Sequence, residues 1–415
     1  MLHDNDMIFA ENQYYEMDSY KTKRNNNVLV VGTSGSGKTR NIVAPNLLQA
    51  TGSYIVSDPK GNLHRKYKKY LENKGYVVKK VDFVHPEESI GYNPLAYVHS
   101  EQDVLKLARL LTDISSSMND KFWDLATELL FSSVISFVWE GCRNDEKNLT
   151  SVQKLIAACQ VQEDGANEVN VLDQIMENAR EDNPDSFSVR QYDKFRIAAS
   201  RTLKSILITV NSKIGVLDTR AIQKMLRSDM VNFASIGKRK TAVFVVVSDT
   251  ERSMDILANL FFSQAINELC KFADERCSDR DNRLPVDVRF ILDDFATNVT
   301  IAEFPRMISS IRSRGISAML MIQSEGQLVN TYGHDAKTII GNCDNYLYLG
   351  GNDINTAQEV ARRCDVSLKK ILNMPVGTCW IFRRGQEAIN AKLFDLEKYE
   401  DIKNKIENKE QKEER

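Results

Sequence analysis

The sequence predicts a doubly wound, mainly parallel α/β fold interrupted by an all-helical insertion. Three observations carry this expectation. Short, wholly apolar runs such as Val28-Leu29-Val30-Val31 recur along the chain with helical stretches between them, a glycine-rich loop follows that run directly, and from about Leu95 to Met230 the apolar periodicity is helical throughout. Runs apolar at every position mark strands covered on both faces, and strands alternating with helices mark crossover connections in a parallel sheet.

In chain order, a polar lead-in ends at Lys23-Arg24-Asn25-Asn26-Asn27. Strands are then expected at Val28 to Val31, Ser53 to Ser57, Tyr76 to Phe83, Ala242 to Ser248, Val288 to Leu292, Ser317 to Ile322, Tyr346 to Leu349, Thr378 to Phe382 and Ala388 to Phe394. In the helical stretch, Ser100 can cap a helix that carries Val104, Leu107, Ala108 and Leu111 on one face. Thr150 with Gln153 reads as a capping box ahead of Leu155, Ile156 and Cys159. Phe122 to Trp139 reads as a strongly apolar helix, and Glu168 to Ala179 and Val189 to Val210 follow as helices separated by Asn183-Pro184. The expected organisation is an α/β domain built from residues 1–94 and 231–396, an all-α domain over 95–230, and a charged tail over 397–415 that is a frayed helix or disordered.

Composition narrows the class. The chain has 415 residues, 55 Lys plus Arg against 57 Asp plus Glu, and 42% hydrophobic residues. That balance excludes disordered, collagenous, coiled-coil and disulfide-rich scaffolds. A net charge of -2 offers no global attraction to nucleic acid or anionic lipid, so such a partner must be held by a local patch. The seven cysteines include no CxxC pair and read as free thiols of a reducing cytoplasm. No stretch reaches the roughly 18 unbroken apolar residues of a membrane span. The nearest, Leu129 to Trp139, carries three serines and reads as a buried helix, and the first residues lack the basic and apolar regions of a signal peptide.

The chemistry begins at Gly32-Thr33-Ser34-Gly35-Ser36-Gly37-Lys38-Thr39, which fits GxxxxGK[ST]. Glycines let the backbone curl so that several N–H groups converge on a phosphate, and the following helix adds the positive end of its dipole. Lys38 is expected to reach the β and γ oxygens of a triphosphate, and the Thr39 hydroxyl to bind Mg²⁺. Such a loop needs a carboxylate at the end of a neighbouring strand, and Arg289-Phe290-Ile291-Leu292-Asp293-Asp294 supplies it, with Asp293 on the metal side and Asp294 where an acid activates water. Glutamate is usual at that second position for its reach, so the shorter Asp294 makes hydrolysis less efficient. Gln323 ends the next strand and reads either as a sensor of the γ-phosphate or as a polar strand cap. Arg312 and Arg314 flank Ser313 and read either as trans-acting fingers or as a solvated helix end. Asp58, after the second strand, is a second candidate for water activation or a turn former, and the five histidines are scattered. Lys38 and Asp293 stand 255 positions apart, an excess that the helical insertion accounts for. Recognition of a substrate or partner is expected there.

These motifs, taken with APNLL (44–48), SDPKGN (57–62), YNPL (92–95), ILDDFA (291–296), IRSRGISAMLMIQSEGQL (311–328) and GNCDNYLYLGG (341–351), resemble the conjugative type IV secretion coupling proteins of the TraG/TraD group, nearest to forms on Gram-positive mobile elements. The resemblance spans roughly residues 8 to 395. It implies a RecA-like P-loop NTPase domain carrying an all-helical domain, in a hexameric ring motor that uses ATP and Mg²⁺ to drive DNA, with its relaxase, toward a secretion channel at the cytoplasmic face of the membrane. By the same resemblance Lys38 and Thr39 are the P-loop pair, Asp293 the Mg²⁺-side acid, Asp294 the acid beside it, Gln323 the sensor and Arg312 the trans-acting finger. The helical domain is the end that meets relaxosome components.

Two departures stand out. The family's LDEFA is here Leu292-Asp293-Asp294-Phe295-Ala296, and fewer than 30 residues precede the strand at Val28, where family members usually carry a membrane anchor. A soluble variant held at the membrane by a partner and a truncated chain both fit the second departure. The competing functions are a DNA-translocating ATPase, a nucleotide-gated docking adaptor for relaxase or effector with little turnover, and, more remotely, a small-molecule kinase. Channel-lining candidates for DNA are Lys238-Arg239-Lys240, Arg196 and Arg201.

Overall fold

The computed structural model describes residues 2–112, 121–159, 170–199 and 203–399. The chain divides into two compact units, one of Met1–Lys80, Phe233–Thr250 and Ala265–Arg415, the other of Val81–Asn232 and Glu251–Gln264.

The first unit is built on a nine-stranded sheet. Its strands are β3 (Val28–Val31), β4 (Ser53–Ser57), β5 (Val77–Asp82), β6 (Thr241–Val246), β7 (Val288–Leu292), β8 (Ile316–Ile322), β9 (Asn345–Tyr348), β10 (Thr378–Arg383) and β11 (Ile389–Lys392), and their spatial order is β11-β10-β9-β3-β8-β7-β4-β6-β5. Each coincides with an expected strand to within a few residues. β9-β3-β8-β7-β4-β6 pair in parallel, while β10 runs antiparallel to both β9 and β11. The fold is therefore α/β with a mainly parallel sheet, as expected.

The all-apolar strands are buried on both sides because helices cover both faces. Val28, Val30, Tyr54, Val56, Met319 and Met321 join Leu63, Tyr67 and Leu71 of the helix Asn62–Asn73 in one core cluster. The intervening Leu29, Val31, Ile55 and Leu320 are equally buried. This is the period-two division of a strand between two covering layers.

The lead-in holds a feature that the sequence reading missed. β1 (Asp6–Ala10) and β2 (Gln13–Glu16) form an antiparallel hairpin, closed where Ala10 pairs with Gln13 and Asn12 takes the left-handed conformation that Asn tolerates. All five residues of β1 are buried. Asn46 receives this strand: its side chain accepts from the Ile8 N–H at 3.1 Å and donates to the Ile8 carbonyl at 2.8 Å, as a partner strand would.

In the second unit the helix Lys121–Gly141 packs against Glu101–Thr112, Leu149–Ala157 and Phe187–Ala199. It buries Ala126, Leu130, Phe131, Val134, Ile135 and Val138, which recur at three- and four-residue spacing. Its serines serve close packing, with Ser133 Oγ donating to the Ser188 carbonyl at 2.9 Å. By length and composition Phe122–Gly141 is apolar enough to cross a membrane, yet 56% of its most apolar window is buried within the protein, as for a core helix. Ser100 pairs with Asp103 at the head of Glu101–Thr112, as expected. The Thr150 capping box is corrected: the cap is Asn148, whose side chain accepts from Ser151 N, while Thr150 lies inside the first turn and is buried. The short Asn side chain reaches that N–H from outside the helix, where a residue already in the turn cannot. The expected helix Val189 to Val210 is instead two, Phe187–Ala199 and Leu203–Ile214; Arg201, between them, lies outside the described residues, as does the tail beyond 399.

Candidate active site

The site is assembled at the C-terminal ends of four neighbouring parallel strands, β3, β8, β7 and β4. These ends carry the Gly32–Thr39 loop, Gln323, Asp293-Asp294 and Asp58 respectively. The loop curls because Gly35 and Gly37 have φ of 77° and 93°, conformations closed to side-chain-bearing residues without strain. A Cβ at Gly37 would also sit 2.3 Å from Asn41 Oδ1. The chain then enters a π-helical turn, Lys38–Val43, before the α-helix Ala44–Leu48. Pro45 explains the change of ladder, since it has no N–H to give and its ring crowds the carbonyl four residues back.

Lys38 is buried, and its ammonium donates to the carbonyls of Gly32 at 2.6 Å and Thr33 at 3.1 Å, so it rests against its own loop. Burial pulls its pKa down, opposed by the nearby Asp294 and Asp293 carboxylates. The Thr39 hydroxyl donates to Asp293 Oδ2 at 2.7 Å. Asp293 is fixed in turn by Ser57 of β4, which accepts from the Asp293 N–H at 2.7 Å and donates to its carbonyl at 3.0 Å. Burial raises the Asp293 pKa, against the Thr39 hydrogen bond and with help from Asp294. Asp294 itself is half-buried and sits at φ 50°, starting a kink that continues through Ala296 at φ 66°. The N–H groups of Thr297 and Asn298 donate back to the Asp294 carbonyl.

Ser34, Thr39, Asp58, Asp293, Asp294 and Gln323 line one open cavity of about 550 Å³. Gln323 has an exposed side chain, and its N–H donates to Gln327 Oε1 at 2.8 Å. Asp58 lines the cavity but is spent locally: its Oδ2 accepts from His64 N at 2.8 Å at the head of the helix Asn62–Asn73. Burial raises the Asp58 pKa against the N–H groups of His64, Leu63 and Asn62.

Arg312 is not brought to this cavity. It precedes β8, at the opposite edge of the sheet, and donates to the Ser19 carbonyl at 3.2 Å. Arg314 is engaged by Asp274 through two contacts of 2.8 Å. Sequence reasoning missed Asn298, which lines the cavity beside Asp294 with only 7% exposure and a carboxamide that has no hydrogen-bond partner among the described residues. The kink at Asp294 turns it in, and no motif spacing announces that.

The donor set fits a magnesium-bound phosphate chain. Thr39 and Asp293 present hard oxygen ligands side by side, the ammonium of Lys38 lies on the same loop, and Ser36 Oγ is buried with no partner, a cost that an incoming polar group can relieve. Among the described residues there is no cluster of three or more His, Cys, Asp or Glu able to hold a metal by themselves. Mg²⁺ requires none, because one or two protein ligands with substrate phosphates and water complete its shell.

A profile of the family described as type IV secretory system conjugative DNA transfer matches residues 3–366. The chain is similar to the type IV secretion system-coupling protein VirD4 of Bartonella henselae, at 22% identity over 388 residues that cover 86% of this chain and 55% of that protein. It spans about half the length of the curated relatives it matches. Among solved structures it is similar to the bacterial conjugative coupling protein TrwBΔN70 in complex with sulphate, with TM-score 0.68, 13% identity and coverage of 93% of this chain and 89% of that one. TrwB in complex with ADP and Mg²⁺ is also similar, with TM-score 0.64, 14% identity and the same coverage.

Proposed function

Because the chain belongs to the type IV secretory system conjugative DNA transfer family, we propose that it is a Mg²⁺-dependent ATPase that works as a ring-shaped motor, delivering DNA with its relaxase to a conjugative secretion channel. The observation that carries the reading is the 2.7 Å contact between the Thr39 hydroxyl and the Asp293 carboxylate, beside Lys38 and lining one cavity with Asp294. Bound magnesium supplies neutralisation of phosphate charge at Thr39 and Asp293.

The chain's own residues do the rest. The loop Gly32 to Thr39 turns its N–H groups to the phosphates, and Lys38 exchanges the Gly32 and Thr33 carbonyls for phosphate oxygens. Asp294 accepts the proton of an attacking water, which the Gln323 carboxamide orients. Arg312 faces away from its own loop, and this supports service to a neighbouring subunit's nucleotide in a homo-hexamer. Residues 1–94 and 231–396 form the nucleotide domain in this reading, and the helices of 95–230 receive relaxosome components.

The test is steady-state ATP hydrolysis with Mg²⁺, in the wild type and in Lys38→Ala. Turnover abolished by Lys38→Ala is expected, and turnover that survives it refutes the assignment. A second reading, a nucleotide-gated adaptor, is favoured by one observation: the acid beside Asp293 is the short Asp294, on a left-handed backbone. ATP binding with negligible turnover that Asp294→Glu restores would select the adaptor.

A further inference from the structure

β7 is buried along its whole length, yet its second residue is an arginine. Arg289 is 3% exposed and forms no ion pair among the described residues. Its two contacts are long: Nε donates to Ser317 Oγ at 3.4 Å, and Nη2 lies 3.4 Å from Met17 Sδ. A guanidinium carries five N–H donors and does not lose its proton in proteins, so a full positive charge stands there largely unanswered. The nearby Asp287 answers it only in part, because Arg283 already holds both its oxygens, with Nε 3.0 Å from Oδ1 and Nη2 on Oδ2.

Arg289 lines a small cavity of about 20 Å³, and Arg283, Arg312, Asp287 and Ser317 line it too. Three guanidinium groups therefore meet one carboxylate around a small, partly open space with room for a small ion. A water molecule fits but leaves the buried charge uncompensated, and burial of an unpaired ion is costly.

We propose that this cavity, at the starts of β4, β7 and β8, is a binding site for one halide-sized inorganic anion, chloride under cellular conditions, held by Arg289 with Arg283 and Arg312 around it. The site lies at the sheet edge opposite the Gly32–Thr39 loop, so its occupancy does not depend on nucleotide. The anion neutralises the Arg289 charge and fixes the turn that carries Arg312.

Bromide is the probe. Crystals of the full chain grown in sodium bromide should show an anomalous peak within hydrogen-bond distance of the Arg289 guanidinium; ordered water there without anomalous signal overturns the proposal. In solution, the thermal midpoint of the nucleotide-free protein should rise and saturate with chloride or bromide at constant ionic strength made up with gluconate, an ion too large to enter. Arg289→Met should lose that halide-specific shift. A wild-type midpoint indifferent to the exchange, or an equal shift in Arg289→Met, overturns the proposal. If Arg289→Met does not fold, the wild-type bromide map decides alone.

Discussion

In the proposed mechanism Asp294 and Gln323 act on the attacking water, with Asn298 lining the same cavity beside Asp294, while Lys38, Thr39 and Asp293 hold the nucleotide. Asp294→Glu lengthens the acid by one methylene toward the cavity and should raise kcat by about tenfold, a fraction of the roughly 10²–10⁴-fold that a general base contributes, with nucleotide affinity unchanged; a rate left the same removes Asp294 from the water-activating role. Asn298→Ala should lower kcat about tenfold and leave affinity within about twofold, the pattern of a group that acts after binding. A loss confined to affinity would contradict that.

Asp293 sets a pH dependence. Its folded pKa is raised by burial, so the free protein holds the proton above the ordinary carboxylate range, and the stability this contributes is lost as pH rises through the folded value. Mg²⁺ needs the ionised form. Affinity for magnesium-nucleotide should therefore keep increasing with pH above the range where an exposed aspartate is already ionised, and titration calorimetry at several pH values should show proton release on binding. A pH-flat affinity contradicts the assignment.

The loop, Asp293 and Gln323 were legible in the sequence because each is tied to a local signature: glycines that permit positive φ, or a polar residue ending an apolar strand. Asn298 was not legible. Its place depends on left-handed backbone at Asp294 and Ala296, neither of which is glycine.

At the scale of elements, apolar runs located the buried strands of the large sheet sharply, because a strand covered on both faces has few polar positions to blur its ends; β5, with Lys79-Lys80, and the edge strand β11, with Asn390 and Lys392, are only partly buried and were placed to within a few residues. The β1–β2 hairpin escaped because only Met7 to Ala10 are apolar and the surrounding residues read as a polar lead-in. Its importance is testable. Phe9 is fully buried, with its ring centroid 5.0 Å from that of Tyr15, so Phe9→Ala should cost about 3–5 kcal/mol in denaturant unfolding; a cost below about 1 kcal/mol would show the hairpin to be dispensable. In the helical unit the periodicity fixed the buried faces but not the caps. Asn148 and Thr150 are two residues apart, and only the path of the chain decides which one stands outside the helix. The box that does form joins Asn170 and Asp173 at the head of Val171–Asp182. Asn170→Ala should lower stability by about 1 kcal/mol without touching nucleotide affinity, as thermal melts alongside binding curves will show.

For the molecule as a whole, the net charge of -2 gives no hint of a polyanionic partner, and the cationic candidates are partly committed. Arg196 pairs with Asp173 at 3.2 Å, the Lys238 ammonium lies 4.7 Å from the Phe272 ring centroid, and Lys240 donates to the Ala50 carbonyl at 2.9 Å. A surface ion pair such as that of Arg196 contributes little and can be exchanged for a phosphate contact. The two ends of the sheet divide the work: the loop, Asp293, Asp294 and Gln323 at one edge, Arg312 at the other. In the proposed motor, a subunit so arranged completes its site only with a neighbour. Arg312→Ala should therefore bind nucleotide normally and fail in hydrolysis once assembled. The most direct measurement is the ATP hydrolysis rate with and without single- and double-stranded DNA, taken beside a sizing run in a non-hydrolysable ATP analogue. A DNA-driven motor gives a rate that rises severalfold with DNA, falls to background in Lys38→Ala, and accompanies a shift from small species to a ring-sized assembly. A rate indifferent to DNA from a chain that stays monomeric with the analogue bound would contradict the account.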